Sequence, residues 1–190
     1  MIKAIVFDCF GVLAEDGWTP FKNKYITSGS AMAKKIAGIG RRTDLGTLDY
    51  KIMITEISAL LGTEPALLRK AVEGKVSNKE LFKFIESDLK PKYKIGLISN
   101  ASYDVMTRLF NEEQAAVFDT TVLSYETKLT KPDPEMYALT ARLLGVSLRE
   151  CLFVDDQERH CKGAEATGAS AILYTSILQL KKDLKIHFLL

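Results

Sequence analysis

The sequence predicts an α/β fold, a Rossmann-like doubly wound parallel sheet with a small α-helical insertion after the first strand. Three observations predict it. Five short runs of nearly continuous apolar residues read as strands covered on both faces. Helical patterns alternate with the later runs, as parallel strands joined by crossover helices require. Between the first run and the second, from about residue 15 to 90, the chain carries helical patterns and no buried strand.

The first run, IKAIVF, ends at Phe7. In the insertion, GSAMAKKIAGIGRRTDLG is both glycine-rich and basic and reads as loop or partial helix. Its GIGRR does not follow a strand, so it is weak as a nucleotide fingerprint. TLDYKIMITEISALLG places Ile52, Ile54, Ile57, Leu60 and Leu61 at amphipathic spacing. EPALLRKAVEG carries Pro65 where a first helical turn accepts it. SNKELFKFIESDL opens on Ser77, with Glu80 three residues on, a capping-box pattern. KIGLIS, residues 94–99, is the second strand. SYDVMTRLFNEE then puts Val105, Met106, Leu109 and Phe110 on one helical face. TTVL (120–123) is the third strand, and DPEMYALTARLLG is a helix stopped by Gly145. CLFV (151–154), the alanine-rich helix RHCKGAEATGA and AILY (171–174) complete the pattern. The expected division is a core of residues 1–14 and 91–190 with a helical cap of residues 15–90.

Composition excludes several classes. The 190 residues suit one domain with a modest insertion, and 47% are hydrophobic, enough for a core. The net charge is +2, from 26 basic and 24 acidic side chains, too balanced to bring in nucleic acid or a membrane by electrostatics. No apolar run approaches the ~20 residues that span a bilayer. The N-terminal run reads as a core strand, not a secretion signal. Three cysteines (Cys9, Cys151, Cys161) without repeated spacing give no disulfide framework, so a reducing cytoplasm is the expected location. Cys9 has no activating base nearby and reads as a small buried apolar residue. The only histidines are His160 and His187, which argues against a zinc site.

Ligands of open α/β sheets bind beyond the carboxyl ends of the strands. There the sequence places Asp8, then Ser99-Asn100, then Lys131 in a loop, then Asp155-Asp156. Each alone has an ordinary reading as a turn, a helix cap or a solvated charge. Together they put acids, a hydroxyl and a lysine on one edge. Neighbouring carboxylates repel unless a cation joins them, and an all-oxygen site suits magnesium.

FDCFGVL, LISN, KPDPEMY and LFVDDQERHCKGAEATGA, in this order, resemble the four motifs of the haloacid dehalogenase superfamily of hydrolases. The resemblance covers nearly the whole chain and accounts for the insertion, since one subgroup carries a helical cap between its first two motifs. It implies a phosphatase-like hydrolase that takes a small phosphorylated substrate and uses Mg2+. It casts Asp8 as nucleophile, forming an aspartyl-phosphate. Ser99 and the Asn100 amide would hold phosphate oxygens, and Lys131 would neutralise charge. Asp8, Asp155, Asp156 and the Phe10 carbonyl would hold the metal. The cap would exclude water and select the substrate.

Phe10 departs from the family pattern, because phosphatases of this superfamily usually carry there an aspartate that protonates the leaving group. General acid–base catalysis is worth roughly 10²–10⁴ in rate, so the substitution implies reduced turnover. It opens two alternatives, a non-catalytic relative that binds metal and phosphate, and a 2-haloacid dehalogenase. The Asp155-Asp156 pair argues against the dehalogenase. Arg41 and Arg42 are the only early arginines that could hold its substrate, and they read more naturally as surface charge. Glu15, Asp16 and Glu126 are the acids that could stand in for the missing one.

Overall fold

The computed structural model describes residues 1–73 and 76–187. Five parallel strands, β1 (Ala4–Phe7), β2 (Lys94–Ser99), β3 (Thr120–Leu123), β4 (Cys151–Asp155) and β5 (Ser170–Leu173), form one sheet in the order β3-β2-β1-β4-β5. β2 and β3 coincide with the runs KIGLIS and TTVL. β1 is central, with Ala4 opposite Lys94 on one side and Cys151 on the other. The chain winds outward through β2 and β3, crosses back to β4 and winds outward again to β5. This reversal leaves a crevice at the carboxyl end of β1.

The insertion supplies four helices, α1 (Trp18–Tyr25), α2 (Ala31–Asp44), α3 (Tyr50–Leu61) and α4 (Pro65–Glu73). They enclose a hydrophobic cluster of their own, built on Phe21, Ile36, Ile39, Ile54, Ile57 and Leu68. The ambiguous glycine-rich segment is thus a helix, started by Ser30, whose side chain accepts from the Ala33 amide. α3 has Asp49 as its N-cap and ends at Gly62, with φ of 62°.

α5 (Lys79–Phe84) and the π turn Ile85–Leu89 that continues it pack differently. Leu81, Phe82, Phe84, Ile85 and Leu89 join the cluster beneath the sheet. The N-cap of α5 is Asn78, whose side chain accepts from Leu81 N, and not the expected Ser77. The reason is a pairing between segments far apart in sequence. Ala14 and Ser77 form an antiparallel bridge, flanked by Glu15 N to Val76 O and Asn78 N to Leu13 O. Ser77 is therefore held extended and the helix starts one residue later. The two chain crossings into the four-helix unit are paired in this ribbon.

After β2 the single expected helix is two, α6 (Val105–Leu109) and α7 (Glu112–Ala115). Asn111 and Gln114 form a reciprocal capping box, which starts a new helix and ends the old one. α8 (Ser124–Thr127), α9 (Pro134–Leu143), α10 (Glu158–Ala166) and α11 (Ile177–His187) follow.

Side chains alternate across the sheet. Ile5 and Phe7 face a cluster with Leu97 and Val154, covered by α5, α6 and α11. Ala4 and Val6 face Ile98 and Phe153, covered by α9 and α10. Both faces are dry, which explains why the strands read as continuous apolar runs. Among the described residues no helix is long and apolar enough to cross a membrane.

Candidate active site

Asp8 follows β1 and opens a tight turn. Leu13 N and Ala14 N both donate to the Cys9 carbonyl, and Gly11 N donates to the Ala14 carbonyl. Gly11 has φ of 85°, and a Cβ there would stand 2.2 Å from Asp156 Oδ2. Glycine is thus required twice over, by its backbone and by the carboxylate that approaches it.

Lys131 ties the strand ends together. Its Nζ lies 2.8 Å from Asp8 Oδ1 and 2.5 Å from Asp155 Oδ2, with all three side chains buried. Asn100 fixes the lysine backbone, accepting from Lys131 N at 2.8 Å and donating from Nδ2 to its carbonyl at 3.0 Å. Asp8 Oδ1 also accepts from Cys9 N at 2.6 Å. Asp155 Oδ1 accepts from Gln157 N at 2.9 Å and faces His160 Nδ1 at 3.0 Å. A carboxylate only accepts, so Nδ1 carries the proton.

The charges follow from this packing. Burial pushes the Asp8 carboxyl up to about 7, with Lys131 pulling it down and Asp155 pushing it further up. Burial would raise Asp155 too, but the His160 hydrogen bond and the Lys131 charge outweigh it, and Asp155 is held well below the usual carboxylate range. Burial works against the Lys131 ammonium, yet Asp8 and Asp155 hold its pKa above the ordinary value. Asp156 is pushed up to about 6 by burial and the charge of Asp155. Burial lowers His160 despite Asp155, which leaves the imidazole neutral near pH 7.

Asp8, Asp155 and His160 bring one potential ligand atom each within 4.8 Å of one another. The cation in that triangle is already Lys131, and Asp155 has its oxygens engaged. The better fit for a hard ion lies on the other side of Asp8. Asp156 Oδ1 is buried without a hydrogen-bond partner among the described residues, and the Asp156 carboxylate lies against Gly11, the residue after Phe10. The Asp8 carboxylate, the Phe10 carbonyl and the Asp156 carboxylate are oxygen groups of the kind magnesium takes, and they could hold it on that side.

A cavity of about 290 Å³ opens above this centre between sheet and helices. Asp8, Phe10, Asn100 and Lys131 line its floor, and Trp18, Ile36, Met53 and Ile57 form an apolar roof. The four-helix unit is fastened over it. Ser102 Oγ donates to Asp44 Oδ1 at 2.6 Å, Tyr103 OH donates to the Val72 carbonyl at 3.2 Å, and Arg108 pairs with Glu73 at 2.7 Å. Ser99, at the end of β2, is fully buried, and its Oγ has no hydrogen-bond partner among the described residues.

The three candidate acids separate here. Glu15 and Glu126 are exposed, Glu15 in a shallow outer groove. Asp16 borders that groove too, but of the three it alone also lines the cavity. Of the two early arginines only Arg41 lines it. Sequence reading passed over His160 as an orienting group, although it sits in the first turn of the helix that follows Asp155. It also gave no role to Asn100's side chain, whose partner is remote in sequence.

The model of the haloacid dehalogenase-like hydrolases matches residues 2–168. The chain belongs to this family. Among curated relatives of this hydrolase is Phosphatase MT3486 of Mycobacterium tuberculosis, 29% identical, with 90% of this chain and 87% of that one covered. Among solved structures is the wild-type HAD family enzyme bt-2542 from Bacteroides thetaiotaomicron, in complex with magnesium and inorganic phosphate. It is 25% identical, with a TM-score of 0.71 over 95% of this chain and 99% of that one. The L-2-haloacid dehalogenase of Xanthobacter autotrophicus shares the fold at 22% identity and a TM-score of 0.67, over 100% of this chain and 85% of that one.

Proposed function

We propose that this hydrolase is a Mg2+-dependent phosphatase of small phosphorylated metabolites, working through an aspartyl-phosphate on Asp8. The observation that carries the reading is the division of labour around Asp8. One oxygen is held by Lys131 and the Cys9 amide, which leaves Oδ2 to attack, while Asp156 lies across Gly11 with an oxygen that has no hydrogen-bond partner among the described residues. Bound magnesium would screen the repulsion between an anionic nucleophile and an anionic phosphoryl group.

The protein's own groups do the rest. Asp8 forms the bond to phosphorus. Lys131 offsets charge that builds on Asp8 and the phosphoryl oxygens. Ser99 Oγ and the Asn100 amide donate to those oxygens. Asp155, held by His160 and Gln157 N, aims Lys131 more than it binds metal, and Asp156 with the Phe10 carbonyl takes the direct metal positions. The four-helix unit of residues 18–73 serves as the cap, shutting out water and choosing the substrate.

The test is hydrolysis of an aryl phosphate with and without Mg2+, beside chloride release from a set of 2-haloacids. Turnover of the phosphate only with metal, and no chloride, is expected. Chloride release without metal would turn the reading to a dehalogenase, and metal and phosphate binding without turnover would turn it to a non-catalytic relative.

Metal binding should also depend on pH. Protons compete with the cation at Asp8 and Asp156, whose carboxyls are pushed up to about 7 and about 6. Affinity for Mg2+ is expected to climb between about pH 5.5 and 7.5 and then level off. Calorimetric titration across that range checks it, and a flat profile would remove these two carboxylates from the metal site.

A further inference from the structure

We propose that Asp16 is the proton-transferring group that Phe10 cannot be. The inference rests on the phosphatase reading and names the missing participant in it. Phe10 occupies the cavity with an aromatic ring, edge-on to Tyr103 at 6.4 Å between centroids, so no proton can pass at that position. Three carboxyl groups line the cavity, those of Asp8, Asp16 and Asp44. Asp8 is committed to phosphorus. Asp44 is committed to fastening the helical unit through Ser102; burial pushes its carboxyl up and that hydrogen bond pulls it down in part, so it is the competitor the experiment must separate. Asp16 remains.

Its geometry suits the task. Asp16 leaves the paired ribbon that enters the four-helix unit, so it hangs over the edge of the same cavity whose floor is Asp8. Oδ1 accepts from Trp18 N at 2.8 Å and Thr19 N at 3.3 Å, which fixes the carboxyl orientation. Oδ2 has no hydrogen bond among the described residues. The end of β1 lacks the acid of the usual pattern, and the linker into α1 brings one to the cavity.

The chemistry balances. Asp8 bonds to phosphorus as the bond from phosphorus to the leaving oxygen breaks, and the protonated Asp16 gives its proton to that oxygen. The leaving group departs as a neutral alcohol and Asp16 is left as carboxylate. Water then attacks the phosphorus of the aspartyl-phosphate, its proton passes to Asp16, and the bond from Asp8 to phosphorus breaks. Inorganic phosphate, the Asp8 carboxylate and protonated Asp16 result.

The experiment separates proton transfer from helix capping. Asn caps a helix about as well as Asp, so Asp16→Asn keeps the start of α1 and removes the proton. Rates of wild type, Asp16→Asn and Asp44→Asn are measured on alkyl phosphates and on aryl phosphates with progressively better leaving groups, with melting curves for folding. Asp16→Asn is expected to lower kcat/KM by about 10²-fold or more on alkyl phosphates and far less on the best aryl phosphate. It should also release a burst of phenol followed by slow turnover, because the base for the second step is gone. Phe10→Asp in the Asp16→Asn background should restore much of the loss, and should add little in wild type. An unchanged leaving-group dependence in Asp16→Asn, or the same steepening in Asp44→Asn instead, would overturn the assignment. Absence of any Asp8-dependent phosphate hydrolysis in wild type would instead bring down the phosphatase reading, and this assignment with it.

Discussion

Replacing Lys131 by Met is expected to destabilise the metal-free protein by roughly 3–5 kcal/mol near pH 8. For a chain of this size that is a fall of about 6–20 °C in melting temperature. The reasoning starts from burial. The ammonium lies between Asp8 and Asp155, and all three side chains are almost fully enclosed. Methionine keeps the length of the stem but leaves two carboxylates facing each other without a counter-charge. The deficit should shrink at about pH 5.5, because Asp8 can escape by taking up a proton. The sign is set by its pKa. Burial, opposed by Lys131, raises the folded-state value to about 7 from 3.8, so the folded protein binds that proton more tightly than the unfolded chain does. Asp8 therefore favours folding at low pH, and that contribution declines as pH rises through about 4 to 7. Melting curves of both proteins at the two pH values check it. A variant as stable as wild type at pH 8 would show that the buried charges are not coupled as the geometry has them.

Asp8→Asn is expected to abolish phosphate hydrolysis, by on the order of 10⁴-fold or more, and at the same time to make the metal-free protein more stable. An amide cannot form the acyl-phosphate, so the loss falls on the chemical step. The gain has the same origin as the pH effect. Ionised Asp8 sits in a dry site beside Asp155 and near Asp156. Removing its charge should be worth about 1–2 kcal/mol near pH 8 in the absence of metal, and Lys131 keeps Asp155 as its partner. Turnover assays and denaturant titrations on the same preparation test both halves. Surviving turnover would exclude Asp8 as nucleophile. A loss of stability would mean that the pair with Lys131 outweighs the cost of burying the carboxylate.

The strands were legible because a parallel sheet covered on both faces leaves no polar alternation to confuse the reading. Ile95, Leu97 and Ile98 announce β2 whichever face they take. The four polar strand ends were legible because an open α/β sheet has one functional edge. Two other points were not legible. The start of α5 depended on Ser77 being held by Ala14, more than sixty residues away in sequence. The break between α6 and α7 turned on the capping box of Asn111 and Gln114, inside a pattern whose apolar spacing suits one helix.

The sequence by itself determined the sheet, the helical insertion and the family resemblance, and it set Asp8, Ser99, Asn100, Lys131, Asp155 and Asp156 at strand ends and loops as candidates, since these follow from local pattern and motif order. It also exposed the absence of an acid at Phe10. Only the tertiary structure decided how those residues pack against one another. Lys131 lies between Asp8 and Asp155, Asn100 clamps the lysine backbone, and Asp156 presses on Gly11. It also decided that Asp16 lines the cavity while Glu15 and Glu126 lie outside. The physical reason is that spacing fixes which side of a helix or strand a residue takes, whereas pairing of buried charges is set by distance between segments that the sequence keeps far apart.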